Sequence, residues 1–175
     1  MRFIKKKQQP QSLIETKKTV PLPKYVDLDK HVMDDLKHSL LEEQGHICCY
    51  CMQRIDFDGM QIEHYKPKDK NKYPELQLDY DNLLGVCKGK TNENISHCDT
   101  LKKNEELKFL APHENSRKHI LQKLKYTASG EMTSESEEVR DELEDILNLN
   151  VEELKGLFRL FSDYMNLTII LNLKF

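Results

Sequence analysis

Two cysteine pairs, Cys48/Cys51 and Cys87/Cys98, bracket an acid–histidine step, Glu63-His64. Zinc takes four soft or borderline ligands in a tetrahedron, and a Cys-x-x-Cys turn presents two of them from one tight loop. Cys48 and Cys51 have that spacing. Cys87 and Cys98 form the second pair, with ten residues between them. His97 or His46 could replace one of these thiols. Cys49 points elsewhere from such a turn and reads as a small buried hydrophobe. Four thiols of this kind hold a structural ion.

The residues inside the bracket suit hydrolysis of a phosphodiester. Such a reaction needs a base to deprotonate water, and neutral imidazole is suited to that near pH 7. His64 is the candidate. Glu63 and Asp99 supply hard oxygen ligands for Mg²⁺ or Mn²⁺, which would stabilise the leaving 3′ oxygen. Asp99 could equally cap a helix. Asn82 either ends the turn begun by Asp79-Tyr80-Asp81 or fixes the loop that carries His64. Lys66, Lys68, Lys70 and Lys72 follow the base, and Lys88, Lys90, Lys102 and Lys103 come later. Lysines such as Lys66, Lys68, Lys102 and Lys103 are candidates for phosphate contacts, with a plain solvated face as the alternative. Lys102, three residues after Asp99, stands out among them.

The elements that must position these groups are short. Val32, Met33, Leu36 and Leu40 recur at helical spacing over 27–44, and Gly45 is a good stop. Residues 60–64 suit a strand ending at His64, and 82–87 suit a second strand. Residues 65–79, rich in Lys and Pro, read as a loop. A short helix is expected from Cys98 to about Leu107. Residues 1–25 hold Pro10, Pro21 and Pro23 with little periodicity, and read as an extended arm or a disordered tail. The C-terminal third reads as helices over 115–126, over 136–147, and after Asn150. There, Asn150 with Glu153 resembles a capping box ahead of Leu154, Leu157, Phe158 and Phe161. The apolar run Leu167 to Phe175 is ambiguous in type and suggests docking onto a partner or a continuation.

The chain has 175 residues, 38% hydrophobic and 33% charged, which bounds it to one domain with an extension or two small units. A core of that size gains from a metal staple. No run of about 18 apolar residues occurs, so no membrane helix is expected. The charged N-terminus has no apolar leader, and five cysteines without one favour a cytoplasmic metal site over disulfides. The net charge of -3 hides an asymmetry. Residues 1–25 carry seven Lys and Arg against Glu15, whereas 131–153 carry ten acids against Arg140. The basic arm suits nucleic acid or an acidic partner, and the acidic stretch suits solvent or a protein.

Taken together, Glu63-His64-x-x-Pro67, Asn82-Leu83 and Cys98-Asp99-x-x-Lys102 resemble the HNH endonuclease superfamily. Asp99 departs from the family, which usually has His or Asn there. Met1-Arg2-x-Ile4 with Pro10, Cys48-Cys49-Tyr50-Cys51, and Leu78-Asp79-Tyr80-Asp81-Asn82-Leu83 are similar to the PtuB family, the HNH subunits of Septu and retron-linked anti-phage systems. The likeness covers roughly residues 1–107. Together with the elements read above it gives an α+β fold: a zinc-stapled ββα-metal finger with an N-terminal supporting helix and, beyond the reach of the likeness, a C-terminal helical extension. The parts would be a basic arm (1–25), a nuclease core with zinc knuckles (26–110) and a partner-docking extension (111–175). It further implies an endonuclease cutting DNA or RNA, with a PtuA-like ATPase of ABC or SMC type as partner and a retron RNA–DNA element as a further candidate. The rival reading is a zinc-ribbon nucleic-acid-binding or adaptor module without catalysis. Glu63, His64 and Asp99 together weigh against it.

Overall fold

The computed structural model describes residues 1–68, 72–91, 93–113 and 124–160. Lys70, residues 115–123 of the helix expected over 115–126, Phe161 and the run Leu167 to Phe175 lie outside the described residues.

The site rests on one long helix and one hairpin. Helix α1 spans Gln11–Thr19 and α2 spans Lys30–Gln44. Asp29 caps α2 by accepting from Val32 N–H, and Gly45 ends it in the left-handed conformation at φ 69°. Val32, Leu36, Leu40 and Leu41 are buried along one face. That face meets strands β1 (Met60–His64) and β2 (Leu83–Cys87), which pair antiparallel with Glu63 opposite Leu84 and His64 opposite Leu83. Gln44, 1% exposed, stands in for a third strand. Its side-chain amide donates to Gly85 O at 2.8 Å and accepts from Gly85 N–H at 2.6 Å. Cys49 N–H also donates to Gly85 O, at 3.1 Å, so α2 and the cysteine loop both bind this strand edge.

Helix α3 (Cys98–Lys102) follows. It stops well short of Leu107, because Lys103 turns to positive φ. The chain is therefore mixed helix and short antiparallel strands, an α+β arrangement.

The N-terminal residues are not an extended arm. Met1, Ile4 and Leu13 are buried, Ile4 N–H donates to Pro112 O at 2.7 Å, and α1 packs on α2. The sequence signal is weak because Leu13 is the only buried residue of an otherwise polar helix.

The C-terminal part also departs from three helices. Residues 125–126 are not helical: β3 (Lys125–Tyr126) pairs with β4 (Met132–Thr133). Helix α4 (Glu137–Asp141) runs into a π-helical turn, Glu142–Ile146. A helix over 152–160 follows. Asn150 forms no capping box. Its side chain accepts from Met132 N–H at 2.8 Å and donates to Met132 O at 2.9 Å, so it pins β4 instead. Buried Glu142 accepts from Lys108, Phe109 and Leu110 N–H, which ties the π turn to the segment after α3. The buried apolar residues form one cluster from Met1 to Phe158. No helix among the described residues is long and apolar enough to cross a membrane.

Candidate metal centre and active site

The cysteines arrive from three places. Cys48 and Cys51 lie in a knuckle between α2 and β1, closed by Met52 N–H donating to Cys48 O and Cys48 N–H to Gln53 O. Cys87 ends β2, and Cys98 opens α3. Their four sulfurs all lie within 4.8 Å of one another, with Cys48 to Cys98 at 4.0 Å and Cys51 to Cys87 at 3.7 Å. Zinc–sulfur bonds of about 2.3 Å in a tetrahedron put sulfurs about 3.8 Å apart. The donor set therefore fits an ion such as zinc. Burial disfavours charge on Cys48, yet hydrogen bonds from the surrounding thiols hold it well below the usual thiol range. A metal would take over that role.

Neither His46 nor His97 belongs to this four-sulfur group. His46 is exposed, and His97 Nδ1 lies 3.1 Å from Cys98 Sγ, as a partner to that sulfur. Cys98 has φ +51°, and its N–H donates to Leu147 O at 2.8 Å. The π turn thus holds this ligand in a conformation that non-glycine residues rarely adopt. Cys49 is buried beside the group, and burial pushes its thiol well up.

Strand β1 delivers the acid–histidine step at its end. His64 Nε2 lies 3.0 Å from Gln77 O. A carbonyl only accepts, so Nε2 carries the hydrogen and the neutral ring keeps its lone pair on Nδ1. Burial lowers the His64 pKa to about 4, which keeps the ring neutral at pH 7. The Tyr25 ring packs edge-on over it, with centroids 4.6 Å apart. His64 is 5% exposed.

Glu63 is 3% exposed. Its Oε1 accepts from Tyr50 Oη at 2.9 Å and pairs with Lys102 Nζ at 2.8 Å. Burial, reinforced by a bond to the Asp99 carboxyl, raises the Glu63 pKa to about 8 despite Lys102. Glu63 and Asp99 are hard-oxygen donors of the kind a divalent ion takes.

Asn82 closes the loop that follows His64. Its side chain accepts from Lys66 N–H at 2.7 Å and donates to Lys66 O and Leu76 O, each at 3.0 Å. The lysines separate sharply. Lys68 and Lys103 are exposed, and Lys68 Nζ sits 4.9 Å from the Tyr25 ring centroid. Lys66 pairs with Glu106 at 2.5 Å. Lys102 is fully buried beneath Glu63, where no phosphate could reach it, against the expectation of a phosphate contact. Sequence reasoning missed Tyr50, Tyr25 and Gln77. Only Tyr50, set between two cysteines, carried any local signal. A cleft of about 460 Å³ lined by Lys5, Lys6, Lys66 and Asn82 opens on the flank of this loop, but neither Glu63 nor His64 lines it.

No protein-family model matches the chain. Among curated proteins, it is 34% identical over 84 residues to "Retron Vc95 putative HNH endonuclease" of Vibrio cholerae serotype O1 biovar El Tor, covering 47% of this chain and 38% of that protein. It is 38% identical over 64 residues to "Septu protein PtuB" of Bacillus thuringiensis, covering 35% of this chain and 24% of that protein. The chain thus spans well under half the length of either relative. These matches support the resemblance to the HNH superfamily and to PtuB.

Proposed function

We propose that this chain is a metal-dependent HNH endonuclease, the nuclease subunit of an anti-phage defence complex. One observation carries the reading: His64 commits Nε2–H to Gln77 O and keeps the Nδ1 lone pair, one residue from a carboxyl pair suited to a divalent ion. The strand pair β1/β2 with α3 then serves as a ββα-metal finger, stapled by zinc at Cys48, Cys51, Cys87 and Cys98. The names of the two relatives support the defence setting.

In this mechanism His64 Nδ1 takes a proton from water, and the oxygen attacks phosphorus as the P–O3′ bond breaks and the leaving 3′ oxygen takes a proton from solvent. Glu63 and Asp99 would hold Mg²⁺ or Mn²⁺, which when bound neutralises charge on that leaving oxygen. Asn82 keeps the His64 loop in register. Lys68 and Lys103 are the exposed cations placed to meet phosphates, and Lys66 can join them on leaving Glu106. The products are 5′-phosphate and 3′-hydroxyl ends, as in the superfamily. An ATPase of the PtuA type, of ABC or SMC class, is the proposed partner in the cytoplasm. A retron RNA–DNA element is a further candidate, and the substrate is DNA or RNA.

One observation favours a second reading, a zinc-bound nucleic-acid-binding or adaptor module without catalysis. Glu63 and His64 are almost inaccessible in this structure, and Tyr25 covers the histidine. The test is cleavage of plasmid, phage DNA and total RNA by the partner-bound complex, with and without Mg²⁺. A His64→Ala complex of equal zinc content is the control. A nuclease requires Mg²⁺-dependent cutting that His64→Ala loses by about 10²–10⁴-fold. Cutting undiminished in His64→Ala, or no cutting at all, overturns the reading.

A further inference from the structure

We propose that Tyr50 and Lys102 are positioning residues that aim the Glu63 carboxylate, so that both arms of the cysteine centre set the geometry of the active site. The inference rests on the nuclease reading above. Tyr50 sits inside the first knuckle, between Cys49 and Cys51. Lys102 lies four residues after Cys98 on α3, so it shares a helix face with that ligand. Both side chains are fully buried. From opposite arms of the centre they converge on one atom, Glu63 Oε1, at 2.9 and 2.8 Å.

The convergence has a geometric consequence. A glutamate has three rotatable bonds, and a metal ligand must hold still. Two donors on one oxygen, Oε1, hold the carboxylate in a single orientation. Asp99 itself follows Cys98 directly, so the second carboxyl is anchored to the same cluster. Lys102 Nζ also lies 3.4 Å from His64 O, which makes it a brace for both residues of the acid–histidine step. A lysine this deeply buried must have its charge paired. Its pairing with Glu63 accounts for its place in the fold without any contact to phosphate.

The test uses the purified, zinc-loaded full chain, with Mn²⁺ as the probe. Binding is followed by the spin-resonance signal of free Mn²⁺, and cleavage by the complex is followed against Mn²⁺ concentration. Glu63→Gln defines the signal that depends on the site. Tyr50→Phe removes one hydroxyl and little volume. It should weaken Mn²⁺ binding about tenfold, the effect of one charged hydrogen bond, with zinc content unchanged and the melting temperature lowered by no more than the loss of one hydrogen bond. The saturated cleavage rate should stay within about twofold. Lys102→Met should instead lower the saturated rate by about 10²-fold, since it loosens Glu63 and the His64 backbone together. A role confined to folding would move melting temperature and leave Mn²⁺ half-saturation alone. Equal Mn²⁺ binding by wild type and Tyr50→Phe overturns the proposal while leaving the nuclease reading intact, and this holds even if Lys102→Met fails to fold. If the complex cuts no nucleic acid, the nuclease reading falls, and the Mn²⁺ binding comparison still decides the role of Tyr50. Absence of any Glu63-dependent Mn²⁺ binding overturns the positioning role and the metal assignment together.

Discussion

Asn82 and Lys66 are joined by reciprocal hydrogen bonds: Lys66 N–H donates to Asn82 Oδ1 at 2.7 Å, and Asn82 Nδ2 donates to Lys66 O at 3.0 Å. A third bond, to Leu76 O, spans the loop between the strands. One amide side chain thereby mimics a strand partner for the residues just past His64. Ending the turn and ordering the loop are one act here, because the turn that delivers Asn82 also faces it to Lys66.

Asn82→Ala should therefore loosen the loop. Each neutral bond contributes about 1 kcal/mol, so chemical denaturation should show a loss of about 2–3 kcal/mol. Asn82→Asp keeps the acceptor and loses both donor bonds, and its loss should fall between wild type and Asn82→Ala. Equal stability of all three proteins would remove the loop-closing role.

Elemental analysis should find about one zinc per chain, as a single four-thiol site requires. Cys51→Ser or Cys87→Ser should lower both zinc content and folding yield, because binding energy of a structural metal is folding energy. Cys49→Ser should retain the zinc. A chelator-treated chain that melts like the untreated one would dismiss the staple.

Glu142 ties the C-terminal part to the segment after α3 by accepting three backbone hydrogen bonds. Glu142→Ala leaves the N–H groups of Lys108, Phe109 and Leu110 without their acceptor. The Leu110 N–H is buried and the other two are half-buried, so at about 1–3 kcal/mol for the first and about 1 kcal/mol for each of the others the expected loss of stability is about 3–5 kcal/mol in urea. Glu142→Gln keeps an acceptor oxygen and should lose less. The comparison of the two variants separates hydrogen bonding from packing.

His113 should make stability fall in acid. Burial, with Lys6 nearby, lowers its pKa in the fold to about 4, against about 6.5 in an unfolded chain. The fold therefore favours the neutral ring. Its contribution is complete above about pH 6.5 and is lost as pH falls through the window down to about 4. Between pH 7 and 5 wild type should lose up to about 2 kcal/mol more than His113→Phe. Taking the difference cancels the acid sensitivity of the thiols, which both proteins share. Parallel curves would discard this role of His113.

Local spacing determined much of this protein. Cys-x-x-Cys fixes a knuckle because two residues can span only one tight turn. The apolar period of 27–44 with Gly45 behind it dictates α2, and the stretches ending in His64 and Cys87 read as the strands they are. Burial and partnership were not legible. Lys102 reads as a surface cation in sequence, yet the approach of β1 to α3 closes over it. Tyr50 meets Glu63 only when the knuckle folds back on the hairpin, and His97 Nδ1 turns to the Cys98 sulfur. The polar helix α1 shows no pattern, since the surface that holds it belongs to α2. Asn150 had the residue type of a cap, but the Met132 backbone claimed its amide first. Chain spacing sets what neighbours along the chain can do. Which distant groups share a dry interior, and so must pair their charges and hydrogen bonds, is decided by the tertiary structure.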